Sequence, residues 1–139
     1  MKKQIMLFAA AVALIAACSK DQQVANHLDG SWKAVSVITT FAGVTETQTD
    51  SLPTYTFTKC KVKDAKCDGT WRDADGTTGT FKWQITNKGA NLLWEETESG
   101  VTTTYTGTVL EHSKTKFLYE LTISTIIGDV KIKSELAKE

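Results

Sequence analysis

Apolar and polar residues alternate with a period of two through most of the chain, the pattern of strands that bury one face and wet the other. Phe81, Trp83 and Ile85 share one face against Lys82, Gln84 and Thr86, and Phe117, Tyr119, Leu121 and Ile123 alternate in the same way. Val130 and Ile132 likewise oppose Lys131 and Lys133. From Leu28 onward threonine, valine and aromatics dominate, and no segment sustains apolar spacing at helical period, so almost no helix is expected. The runs predict eight strands, over about 30–40, 53–62, 67–73, 78–86, 91–97, 101–110, 115–125 and 130–134, with 135–139 as a frayed charged end. Ala74-Asp75-Gly76, Asn87-Lys88-Gly89 and Ser99-Gly100 are turns short enough to force antiparallel neighbours. A long polar loop, 41–52, follows the first strand, and the single proline, Pro53, opens the second, a position strands tolerate. An open sheet of this size exposes two edges, and closure removes them. The expected fold class is therefore all-β, an eight-stranded antiparallel up-and-down barrel, with a β-sandwich as the alternative.

The N-terminal stretch follows another pattern. Lys2 and Lys3 precede an uncharged apolar run from Ile5 to Ala17, and the chain turns polar at Ser19-Lys20-Asp21, just after Cys18. That run of 13 residues falls short of the roughly 20 a helix needs to cross a bilayer, so residues 1–17 read as a secretory signal peptide. Ile15-Ala16-Ala17-Cys18 resembles the lipobox of bacterial lipoproteins. The resemblance implies a diacylglyceryl group on the Cys18 thiol, cleavage just before it, and a membrane as the partner held through covalent lipid. Residues 18–27 then form a lipidated tether, and 28–139 form the barrel domain. Ser19 differs from the aspartate that retains many lipoproteins at the inner membrane, which points to the outer membrane, and Lys20-Asp21 resembles a short surface-export signal.

Gly30-Ser31-Trp32, with Leu28 before it, resembles the Gly-x-Trp that opens lipocalins and the lipocalin-like lipoproteins of Bacteroidota. The family's tryptophan packs across the closed end of its barrel. The chain has no match to the arginine that covers this tryptophan in many lipocalins, nor to their C-terminal helix, which points to a reduced relative. The resemblance implies a barrel holding a small hydrophobic ligand, with loop 41–52 as a candidate lid. Candidate cavity or core residues are Trp32, Tyr55, Phe57, Phe81, Trp83, Tyr105, Phe117 and Tyr119, bulky enough to fill much of an eight-stranded interior. A filled barrel acting through its outer face, as an inhibitor or assembly factor, is the alternative; its protein partner is unknown.

Cys60 and Cys67 flank a turn and fall opposite one another on the second and third strands, a spacing that suits a disulfide in an oxidising compartment. A metal pair would need further ligands, and His27 and His112 lie far apart in sequence and read as lone surface histidines. Asp73-Ala74-Asp75-Gly76 lacks the closing glutamate of a calcium loop and reads as a hairpin turn. Glu95, Glu96 and Glu98 lie near a turn and read as solvated, and Lys59, Lys61, Lys63 and Lys66 read as a charged edge that discourages sheet pairing. No Ser-His-Asp set, phosphate loop or His-Glu-x-x-His helix occurs, so neither an enzyme nor a cofactor is expected. Loss of the leader removes Lys2 and Lys3, leaving 14 basic against 16 acidic residues. That balance is not one of a nucleic-acid binder.

Overall fold

The computed structural model describes residues 19–139; the leader expected over 1–17 and the lipid site expected at Cys18 lie outside them. Among the described residues one helix, α1 (Lys20–Leu28), leads into nine strands: β1 (Gly30–Phe41), β2 (Val44–Gln48), β3 (Thr54–Phe57), β4 (Cys67–Arg72), β5 (Thr78–Thr86), β6 (Asn91–Glu98), β7 (Val101–His112), β8 (Lys116–Thr125) and β9 (Gly128–Lys138). Each strand from β3 to β9 pairs antiparallel with its sequence neighbour, and β1 joins β3 on one side and β9 on the other. Eight strands therefore close a barrel, as the alternation predicted. The ninth, β2, pairs only with the upper half of β1, from Val37↔Gln48 to Phe41↔Val44.

Several expectations need correction. Loop 41–52 contains β2, because Ala42 and Gly43 take left-handed backbone (φ 49° and 81°) that turns the chain back as a two-residue hairpin. All five β2 residues are exposed, so this ribbon stands at the rim and does not close over it as a lid. The end at 135–139 is not frayed. Strand β9 continues to Lys138, pairs with Trp32 there, and buries Leu136 completely.

The segment read as a tether, 19–27, is ordered helix. Ser19 caps it by accepting a hydrogen bond from the Gln22 backbone N–H at 3.2 Å, and Val24, Ala25 and Leu28 form a buried stripe one turn wide. The stripe lies across one end of the barrel. Asp21 accepts from the Gly89 N–H at the β5–β6 turn (2.7 Å), and the Gln22 amide donates to the Cys60 carbonyl (3.0 Å) while accepting from the Val62 N–H (3.2 Å). Trp32 sits beneath this cap, fully buried, and donates its indole N–H to the Leu28 carbonyl at 2.7 Å. The Lys138 ammonium lies 4.9 Å from the centre of its ring, a cation–π contact at the place where the sequence offers no arginine.

The closed half of the barrel is filled with rings. Phe57, Phe81, Trp83 and Phe117 are buried with Ile85, Leu92 and Leu136, and Phe81 stacks on Trp94 with centroids 3.8 Å apart and planes 9° from parallel. Glycines opposite large side chains make this density possible. A Cβ on Gly69 would stand 2.3 Å from the ring of its cross-strand partner Phe81; nearer the other end, one on Gly107 would stand 2.5 Å from its partner Leu121. Cys60 and Cys67 form the expected disulfide, Cα atoms 5.4 Å apart, though β3 stops at Phe57 and Cys60 belongs to the loop that the bridge closes.

Candidate functional site

The inner face alternates along each strand, and it separates the barrel into a packed end under α1 and a hollow end at the opposite rim. A β-bulge in β1 between Ala34 and Ser36 keeps the upper half of that strand in phase, so that Val37 points inward. Towards the rim the core rings give out and leave a cup of about 260 Å³. Its aromatic side is Tyr55, Trp94, Tyr105 and Tyr119; its aliphatic side is Val37, Leu121, Ile123 and Ile132. Ser134 and Glu96 complete the lining.

Trp94, Tyr119 and Ser134 are buried and form the deepest part of the lining. Tyr55 meets Trp94 edge to face, centroids 5.5 Å apart and planes at 90°, while Trp94 and Tyr119 lie near parallel at 6.4 Å. Burial pushes the Tyr119 phenol up to about 12, with the Glu96 carboxylate adding to the rise and a hydrogen bond with Ser134 opposing it. Burial raises Tyr55 as well, helped by Tyr119, Glu96 and Asp73. Both phenols are thus neutral donors at physiological pH.

Glu96 corrects the reading of a solvated acidic run. In β6 the inner face carries Leu92, Trp94 and Glu96, and the Trp94 indole N–H donates to Glu96 Oε1 at 2.8 Å. Glu95, on the outer face, is bonded instead by Lys66, which holds its carboxyl below the ordinary range, and the Thr104 hydroxyl reaches it at 3.5 Å. Glu98 is exposed at the rim. Glu96 also borders a second cleft of about 220 Å³ with Pro53, Tyr55, Trp71 and Asp73, so two carboxylates line that cleft.

Of the eight aromatic residues singled out in the sequence, Tyr55, Tyr105 and Tyr119 line the cup, and Trp32, Phe57, Phe81, Trp83 and Phe117 pack the closed half. Trp94 and Glu96 were missed. Leu92 and Leu93 are both apolar, which blurs the alternation just where β6 begins, and the inward run Leu92-Trp94-Glu96 was the signal available.

Elsewhere the structure joins groups that lie far apart in sequence. His27 Nδ1 at the end of α1 is 3.0 Å from His112 Nδ1 at the end of β7, so these are a pair and not lone histidines. Asp73–Thr77 is a hairpin turn closed by Gly76 N–H to the Asp73 carbonyl (3.0 Å) and Thr77 N–H to Asp75 Oδ1 (2.8 Å). A shallow outer groove of about 870 Å³ is lined mostly by threonines, among them Thr54, Thr56, Thr70 and Thr80, with Trp71 and Arg72 beside them, so hydroxyls and apolar surface are mixed along it.

No protein-family model matches the chain, and no curated protein matches it significantly. Among solved structures it is similar to a redesigned β-barrel, with 17% identity and a TM-score of 0.51 over 84% of this chain and 95% of that one. The likeness concerns the barrel alone.

Proposed function

We propose that the protein is a lipid-anchored binding barrel that holds a small, largely apolar molecule in the cup at its open end. The observation that carries this reading is the uneven filling of the interior: rings pack one half to the density of a core, and the other half is left as a 260 Å³ hollow walled by aromatic and aliphatic side chains. Ligand sites are typically concave, mostly apolar and supplied with a few polar groups, and this cup has that composition at a volume just below the usual range, suited to a small molecule. The leader supports the anchor. Cys18 directly precedes Ser19, the cap of α1, so a lipid on its thiol would enter the bilayer beside the closed end, and the mouth would face away from the membrane.

Native mass spectrometry of protein purified from its own host tests the binding reading. A reproducible small bound mass is expected, and its absence from every preparation would sink the idea. A second reading, a partner-binding barrel, has one observation in its favour. Val44, Val101, Ile126 and Ile127 are 72%, 66%, 103% and 75% exposed, all at hairpin tips on the open rim. Crosslinking from Ile127 in intact cells distinguishes it, because a ligand-binding cup by itself predicts no defined protein adduct.

A further inference from the structure

We propose that the cup selects an organic cation: an amine or quaternary ammonium group carried on a small apolar body, with the charge placed against Glu96 and the rings of Tyr55, Trp94 and Tyr105. The inference rests on the binding reading above and adds the chemical class of the ligand. Among the described residues Glu96 is the one charged group lining the cup. The carboxylate is half-buried, with the Trp94 N–H donating to it at 2.8 Å and a neighbouring cleft on its other side, so a neutral ligand in the cup would displace part of its water and bring no counter-charge. Taking water from a charge without supplying a partner is unfavourable, whereas a cation carried by the ligand supplies one.

The walls agree with the charge. Aromatic faces present negative quadrupoles that attract ammonium groups, and several rings around one carboxylate is the arrangement that recognises them. The phenols of Tyr55 and Tyr119, neutral in their burial, add oxygen acceptors without adding positive charge. The rim is of one dominant sign as well. Asp73, Asp75, Glu98 and Asp129 stand at the strand ends around the mouth against Arg72 and Lys131, so the approaching cation is drawn in and an anion such as a fatty acid is repelled.

Titration of the labelled protein with 2-phenylethylammonium, 2-phenylethanol and 3-phenylpropanoate, followed by backbone amide NMR, tests the proposal. These probes share a phenyl body and differ in head-group charge. The expected order is ammonium, then alcohol, then carboxylate, with the ammonium roughly tenfold or more ahead of the alcohol. Glu96→Gln keeps an acceptor for the Trp94 indole, and it should remove the ammonium's advantage over the alcohol. Equal binding of ammonium and alcohol, or an advantage that survives in Glu96→Gln, overturns the cation assignment and leaves the apolar cup standing. Preference for the carboxylate overturns it too. If none of the three perturbs the cup resonances, the binding reading falls, and the cation assignment falls with it.

Discussion

Gly69 and Phe81 illustrate how single residues set the interior of this barrel. They are cross-strand partners, and the ring lies over the glycine so closely that a Cβ would stand 2.3 Å from it. Phe81 is thereby free to stack on Trp94, and Trp94 in turn orients Glu96 through its indole N–H. Gly69→Ala should lower unfolding free energy by about 1–3 kcal/mol, the usual cost of overpacking a tight core. Chemical denaturation measures it, and a Gly69→Ala/Phe81→Leu double variant should recover part of the loss. A purely additive double variant would show that the ring and the glycine do not share that space. The aromatic positions were legible from alternation alone. The need for Gly69 was not, because it arises from a ring on the neighbouring strand.

At the scale of elements, α1 is the largest departure from the pattern of the chain. Its nine residues include only three buried side chains, Val24, Ala25 and Leu28. Composition alone therefore suggests a solvated linker. The available signals were Ser19 with Gln22 three residues on, a capping pattern, and the spacing of those three apolar positions. Val24→Ala removes a fully packed side chain, and a loss of about 1–3 kcal/mol in denaturant unfolding is expected, where a tether would lose nothing. The same helix meets the β7–β8 turn through His27 and His112. Burial first, then His112 and Lys114, hold the His27 pKa below its ordinary 6.5. The unfolded chain therefore takes up the proton first as pH falls, so stability is full above about 6.5 and declines below it. Thermal melts between pH 7.5 and 5 should show that decline, and His112→Gln should reduce the slope; an unchanged slope would remove the pair from the account.

Across the whole molecule the two ends differ in packing and in charge. The closed end carries α1, the disulfide loop with Lys59, Lys61 and Lys63, and Lys88 on the β5–β6 turn, while carboxylates prevail around the mouth. Strand β1 has 12 residues. At ~3.3 Å per residue and a tilt of ~40° such a strand rises about 30 Å, so the two ends are well separated. For lipidated protein on vesicles, a fluorophore on Lys88→Cys should be quenched by a bilayer-embedded quencher and one on Ile127→Cys should not. The reverse ranking would contradict anchoring beside the closed end. Cys18→Ala should move the domain from the membrane to the soluble fraction, and an unchanged membrane fraction would refute the anchor itself.

Period-two alternation and turn sequences in the chain determined eight strands, their antiparallel order and most of the inward-facing rings, because each depends on neighbours a few residues apart. The pairing of Cys60 with Cys67 was legible for the same reason, since a short turn separates them. Only the tertiary structure decided that α1 caps one end, that β2 forms a ribbon at the rim, that Lys138 covers Trp32, and that His27 meets His112. It also decided where the packing stops. The cup exists because side chains from six strands converge below it and fail to meet above it, a balance of volumes that no local stretch of sequence contains.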